Sequence, residues 1–138
     1  MAIPFIVDEH LPYIEVRHIL VDHAVDGMDL GTKDPAILAA AEIDGAVILT
    51  ADKWFSTQLR RMPHFDKHRH LRAGVVWLPG TWAVAGPMLR RWLPVVEAVY
   101  QVTRLEQDQR VVVALRANGV VYIDPSRTTE GLIRNPVG

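Results

Sequence analysis

Three short apolar runs, Ile3–Val7, Ala46–Thr50 and Val75–Leu78, alternate with helical stretches through the first 80 residues. This alternation constrains the fold more than any other feature. Each run is strand-length, rich in β-branched residues and apolar throughout, as expected for strands buried on both faces. Between them, Leu11-Pro12 opens a pattern in which Tyr13, Val16, Ile19 and Leu20 recur at three and four, predicting a helix to about His23. Ala24–Lys33 holds two glycines and no periodicity, and reads as a loop. Asp34-Pro35 starts a second helix, with Asp suited to the N-cap and Pro to the first turn, and this helix ends near Gly45. A further helix is expected over about Lys53–Arg61. Such an order implies βαβ units around a mainly parallel sheet.

The second half reads differently. Pro87 to Arg104 is helical, with Leu89, Trp92, Leu93, Val96 and Tyr100 on one side, and Pro94 should kink or divide it. Val111–Ala117 and Val120–Ile123 flank Asn118-Gly119, a strong hairpin signal. This antiparallel hairpin would lie at an edge of the sheet or against a face. From Pro125 onward the chain reads as irregular. The length of 138 residues fits one domain, with a motif-bearing core over 1–80 and the helix and hairpin over 81–138. There is no cysteine, which excludes disulfides, thiolate nucleophiles and zinc–sulfur sites. No basic-then-apolar leader opens the sequence, and no uncharged stretch reaches the length of about 20 residues that spans a bilayer. The expectation is a soluble, cytoplasmic protein.

The small net charge of −1 hides an asymmetry. Residues 1–52 carry ten acids against two bases, and residues 53–138 carry thirteen bases against six acids. Halves of opposite sign can be an accident of solvation, and they are also what a cation-dependent enzyme with a polyanionic substrate would want. Asp8 and Asp52 fall just past the carboxyl ends of the first two predicted strands. Ligands of open parallel sheets bind at such ends, near the point where strand order reverses. Asp34 reaches the same edge only if the loop before it returns there. Grouped carboxylates repel one another unless a cation lies among them, and oxygen-only donors favour Mg²⁺ or Mn²⁺.

Each acid also has a plain structural reading. Asp8 can serve a turn, Asp52 can cap the helix it precedes, and Asp34 can cap its own helix, with or without binding metal. Glu9 is a further ligand or supporting candidate. Glu42, two turns along from Asp34, is an alternative third ligand. Asp26 and Asp29 read as solvated loop acids.

These residues fall into motifs. Phe5-Ile6-Val7-Asp8-Glu9-His10-Leu11-Pro12 resembles the opening of PIN-like domains, including VapC-type toxins. Gly31-Thr32-Lys33-Asp34-Pro35-Ala36-Ile37-Leu38 resembles their middle motif, and Val47-Ile48-Leu49-Thr50-Ala51-Asp52-Lys53-Trp54-Phe55 their third. The resemblance covers roughly residues 3–80 and implies a three-layer α/β fold with a mainly parallel central sheet flanked by helices. It further implies a ribonuclease in which Asp8, Asp34 and Asp52 hold Mg²⁺ or Mn²⁺ and Thr50 orients a carboxylate or a metal-bound water. Many such proteins are toxins held inactive by a cognate antitoxin. The sequence departs from the pattern at His10. The second short strand usual after the first helix is barely visible around Ile19–Ala24. No obvious fourth acid follows Asp52 at close range, Asp66 being the next along the chain, and its lack would favour one ion over two. The segment from Trp82 to Gly138 matches no motif.

The stretch Arg60–Arg72 concentrates five cationic side chains and three histidines against one acid. Lys53, Arg60, Arg61, Lys67 and Arg69 are the expected phosphate contacts, and Trp54 and Phe65 are possible stacking surfaces. A solvated loop is the plain alternative, and a transition-metal site at His64, His68 and His70 a remoter one. His10 could touch the acidic cleft, whereas His18 and His23 read as polar helix residues. Trp77, Trp82, Trp92 and Tyr100 read as core, or else as a surface for dimerisation or an antitoxin. Two other functions compete with the ribonuclease. One is a catalytically inactive PIN-like module that binds RNA or protein. The other is a receiver-type domain, in which Asp8-Glu9, Thr50 and Lys53 would serve phosphoryl transfer to an aspartate.

Overall fold

Phe5, Ile6 and Val7 are almost wholly buried, and they form the strand around which the sheet is built. The computed structural model describes residues 2–28, 31, 34–52, 72–117, 119–124 and 129–133. Seven strands form one sheet among these residues: β1 (Pro4–Val7), β2 (Ala24–Gly27), β3 (Val47–Thr50), β4 (Gly74–Trp77), β5 (Val112–Arg116), β6 (Gly119–Asp124) and β7 (Thr129–Ile133). Their spatial order is β2-β1-β3-β4-β5-β6-β7. The first five are parallel, and β6 and β7 add antiparallel.

Alternation along the strands divides the core in two. Phe5, Val7, Val47, Leu49, Val76, Val113 and Leu115 face one side. There they meet α1 (Tyr13–Ile19) through Val16 and α3 (Trp82–Tyr100) through Leu89, Trp92 and Val96. Ile6, Ile48, Val75 and Val112 face the other side, against Ile37, Leu38 and Ala41 of α2 (Asp34–Asp44). The result is a three-layer α/β arrangement. Each fully buried Leu, Phe or Trp side chain contributes on the order of 1.5–3 kcal/mol by leaving water.

The connections are not of one hand. The chain steps from β1 to β2 in one direction with α1 on the first face, then back past β1 to β3 with α2 on the second. Those two crossovers share a hand. From β4 to β5 it steps in the same direction as from β2 to β3, yet α3 lies on the first face beside α1. The α3 crossover is therefore of opposite hand, against the strong preference of parallel units for one hand.

Four sequence expectations are corrected. Ala24–Lys33 is not all loop: Ala24–Gly27 forms β2, pairing Pro4 with Ala24 through Val7 with Gly27. It is a largely exposed edge strand, so it lacks the apolar run that marks a buried one. The tail is not irregular throughout, because β7 pairs with β6 from Val120–Ile133 to Asp124–Thr129. Pro94 does not divide the helix. α3 starts at Trp82, runs through both Pro87 and Pro94, and continues as a π turn over Gln101–Glu106. Both prolines lie on its exposed side, as do Ala83 and Arg90, whose carbonyls lose their helical partners. Water can satisfy those carbonyls, which is why the helix survives. Lastly, His23 is no surface polar residue. Its Nδ1 accepts from the Ile3 N–H at 2.9 Å, its Nε2 lies 2.9 Å from Glu97 Oε2 of α3, and its ring meets Phe5 edge-on.

The helix stop at Gly45 is found where the sequence places it, and the hairpin is present with Gly119 as the first residue of β6 and not part of its turn. Gly45 has φ +63. Its N–H bonds to the Glu42 carbonyl, and the Ala46 N–H to that of Ala41, the paired bonds of a Schellman cap. Arg116 pairs with Gly119 across the hairpin.

Candidate functional site

Asp8 and Asp52 leave adjacent strands at the place where the sheet reverses its order. β1 lies between β2 and β3, and the helices that follow β1 and β2 depart to opposite faces. Such a divergence opens a crevice at the carboxyl ends of the strands. Asp8 is still held in the sheet, because its N–H donates to the Leu49 carbonyl at 3.0 Å. It is only 5% exposed.

Thr50, the last residue of β3 and fully buried, joins the two acids. Its hydroxyl donates to Asp8 Oδ2 at 2.8 Å, and its Oγ1 accepts the Asp52 N–H at 2.9 Å. The second bond closes a local Ser/Thr turn that bends the chain out of the strand. The first fixes one oxygen of a buried carboxylate and leaves Oδ1 for another partner. Asp52 itself is exposed at the rim.

Asp34 comes to this same edge because β2 exists. With β2 parallel to β1, its exit at Gly27 lies beside Val7, and the Met28 N–H donates to the Val7 carbonyl at 3.3 Å. The loop to α2 therefore starts at the carboxyl edge, and α2 begins there with Asp34. The electrostatics agree. The carboxyl of Asp34 is pushed above its ordinary value by partial burial, then by the negative charges of Asp52, Asp8 and Glu9, with His10 pulling the other way. All four acids thus share one field.

Glu9 points away from a purely ligating role. Its Oε2 accepts the Gly31 N–H at 2.6 Å, and its Oε1 lies 3.6 Å from His10 Nε2. Glu42 is removed from the centre altogether. It lies at the far end of α2, at the amino edge of the sheet, where its carboxylate accepts the N–H groups of Arg72 and Ala73 ahead of β4. It holds the entry to β4 and does not replace Asp34.

Among the described residues, no three His, Asp or Glu side chains stand close enough to surround one ion. The donor set nevertheless suits Mg²⁺ or Mn²⁺. Such ions are commonly held by one or two carboxylates and completed by water and substrate phosphates. Asp8 and Asp52 stand at adjacent strand ends and Asp34 at the start of α2 on the same edge, all with oxygen donors. Lys53, Arg60, Arg61, Lys67 and Arg69 lie outside the described residues, as do Trp54, Phe65, Asp66, His64, His68 and His70. Of the aromatics, Trp92 and Tyr100 are buried core. Trp77 is half-buried and donates from Nε1 to the Ala51 carbonyl at 3.0 Å, bracing the turn beyond β3. Gly31 opens the middle motif, but the sequence assigns it no role. Its signal is a glycine three residues ahead of Asp34, and its φ of +86 explains why glycine is used.

No helix among the described residues is long and apolar enough to cross a membrane. No family model matches this chain, and neither does any curated protein or solved structure.

Proposed function

We propose that this protein is a metal-dependent ribonuclease of PIN-like type, with Asp8, Asp34 and Asp52 as the residues that hold Mg²⁺ or Mn²⁺. The observation that carries the reading is the hydrogen-bonded link from Asp8 through Thr50 to the backbone of Asp52 at the point of strand reversal. A structural turn needs no buried carboxylate held by a buried hydroxyl, whereas a metal site needs that carboxylate held in one orientation. The bound ion would supply a water of lowered pKa and offset the charge that builds on a phosphodiester. Thr50 holds Asp8 through Oδ2, which fixes the orientation of the carboxylate. Asp52 and Asp34 bring negative charge from the rim and the helix start. The excess of bases after residue 52 supports a polyanionic substrate, with Lys53, Arg60, Arg61, Lys67 and Arg69 as its phosphate contacts. On this reading the protein acts in the cytoplasm as the toxin of a toxin–antitoxin pair, restrained by a cognate antitoxin protein and able to form a homodimer.

Incubation with single-stranded RNA and Mn²⁺ tests the proposal. Wild type should cleave and Asp8→Asn should not. Absence of cleavage by wild type, together with equal growth inhibition by both proteins in cells, would sink it.

A second reading draws on the spacing of the acids. A catalytically inactive module that binds RNA or protein would also lack three carboxylates within reach of one ion. Retention of RNA without Mn²⁺-dependent turnover identifies that case. The receiver-type reading gains from the parallel order β2-β1-β3-β4-β5 but loses on chemistry. β4 and β5 end at Trp77 and Arg116, not at the Thr and Lys that phosphoryl transfer to Asp52 requires.

A further inference from the structure

We infer that Glu9 is a positioning residue, not a metal ligand: it tethers the β2–α2 loop at Gly31 and so delivers Asp34 to the crevice. The inference rests on the metal-centre reading above and refines it. Position alone makes Glu9 look like a ligand, since it follows Asp8 directly. Its contacts say otherwise. Oε2 is committed to the Gly31 N–H at 2.6 Å, and Oε1 faces the exposed imidazole of His10. A short charge-assisted bond to a backbone amide is strong, and an oxygen engaged in one is a poor donor to an ion.

The backbone is shaped to meet that carboxylate. Gly31 takes φ +86, a conformation that costs other residues strain, and a Cβ there would meet nothing within 4 Å. Glycine is thus used here for its conformation, not for lack of room, and the conformation presents the N–H to Glu9. The loop is pinned behind by the Met28 N–H on the Val7 carbonyl and ahead by α2, whose first residue is Asp34. Asp34 lies only three positions beyond the tether. Glu9 also repels Asp34, and Asp8 and Asp52 add to that repulsion. Core packing through Ile37 and Leu38 holds the body of α2, and the tether adds a restraint on the loop that leads into its first turn. Glu9 therefore acts on the centre through the loop.

Two substitutions of equal charge separate the roles. Glu9→Gln keeps an oxygen acceptor for the Gly31 N–H, and Glu9→Ala removes it. Calorimetric Mn²⁺ titration of the full chain should find Glu9→Gln within about fivefold of wild type, the effect of one distant charge. Glu9→Ala should bind roughly tenfold or more weaker than Glu9→Gln, the usual cost of losing a support behind a metal ligand. Gly31→Ala, which leaves every carboxylate in place but strains the tether, should weaken binding to a similar degree, and Glu9→Ala should add little on top of it. Equal, large losses in Glu9→Gln and Glu9→Ala would make Glu9 a ligand and overturn the inference. Hydrogen exchange at the Gly31 amide reads the tether without metal. Slow exchange in wild type and Glu9→Gln, but fast exchange in Glu9→Ala, supports it even if no Mn²⁺ binds and the metal reading itself fails. Fast exchange in wild type overturns it whatever the metal does.

Discussion

Thr50 Oγ1 lies 2.8 Å from Asp8 Oδ2, and both side chains are buried at the carboxyl end of neighbouring parallel strands. The hydroxyl spends its hydrogen on Asp8 and its lone pair on the Asp52 N–H. Replacement by an isosteric apolar side chain therefore leaves two groups unsatisfied at once. Thr50→Val should cost about 1–3 kcal/mol in chemical denaturation. It should also weaken Mn²⁺ binding by roughly tenfold to a hundredfold. Thr50→Ser, which keeps the hydroxyl, should recover most of the affinity. Calorimetry on the pair decides whether the hydroxyl or the methyl matters.

Asp34 gives a pH dependence with a defined sign. Its folded-state pKa is raised above the ordinary carboxylate value by burial and by the charges of Asp52, Asp8 and Glu9. The folded state then holds the proton more tightly than the unfolded state. Stability is favoured below the unfolded pKa and falls as pH rises through the folded one. Asp34→Asn cannot ionise and should raise the melting temperature of the metal-free protein at pH 7. The gain should shrink toward pH 3, below both pKa values. A melting temperature lower than wild type at pH 7 without metal would contradict this field.

Metal should reverse that order. At a Mn²⁺ concentration of 100 times the dissociation constant, binding to the native state stabilises wild type by about 2.7 kcal/mol. Asp34→Asn and Asp8→Asn should gain little. Thermal melts with and without Mn²⁺ check this, and an equal gain in all three proteins would place the ion elsewhere.

Glu42 should behave as a structural residue. Glu42→Ala orphans the N–H groups of Arg72 and Ala73 at the entry to β4 and should cost about 1–3 kcal/mol. Mn²⁺ affinity of the folded protein should not change. A loss of affinity on the scale of Asp8→Asn would restore Glu42 to the centre.

His23 should carry more stability than its polar character suggests. His23→Leu removes the acceptor for the Ile3 N–H and the partner of Glu97, in a side chain only 1% exposed. A loss of about 1–3 kcal/mol is expected in urea unfolding. Glu97→Gln, which can still accept from Nε2, should lose less.

The parts of the fold legible in sequence are those whose signal is local. β1, β3 and β4 are continuous apolar runs, α2 has Asp34-Pro35 and Gly45 at its ends, and the hairpin has Asn118-Gly119. β2 was hidden because Ala24, Asp26 and Gly27 sit on an exposed edge, where pairing is made by backbone and needs no apolar side chain. β7 was hidden because Gly131 interrupts a five-residue strand. Missing β2 mattered for the site. Without it, nothing in the sequence says which edge receives Asp34. Asp8, Thr50 and Asp52 were legible because each is fixed by a strand end. The tether from Glu9 to Gly31 was not, since it depends on a glycine conformation and on a contact across 22 positions. The opposite hand of the α3 crossover has no sequence signal at all.

That placement of α3 bears on the order in which the protein is made. Asp8, Thr50, Asp34 and Asp52 all emerge among the first 52 residues. The face of β1 and β3 that bears Phe5, Val7 and Leu49 is closed by Leu89, Trp92 and Val96, and His23 waits for Glu97. On the ribosome the acids are therefore in hand well before the strands that hold them can be buried. A nascent chain released before Thr81 carries every assigned acid and none of α3, and it should bind no Mn²⁺. Side chains set at the front of the chain are thus buried and held only by elements at its back.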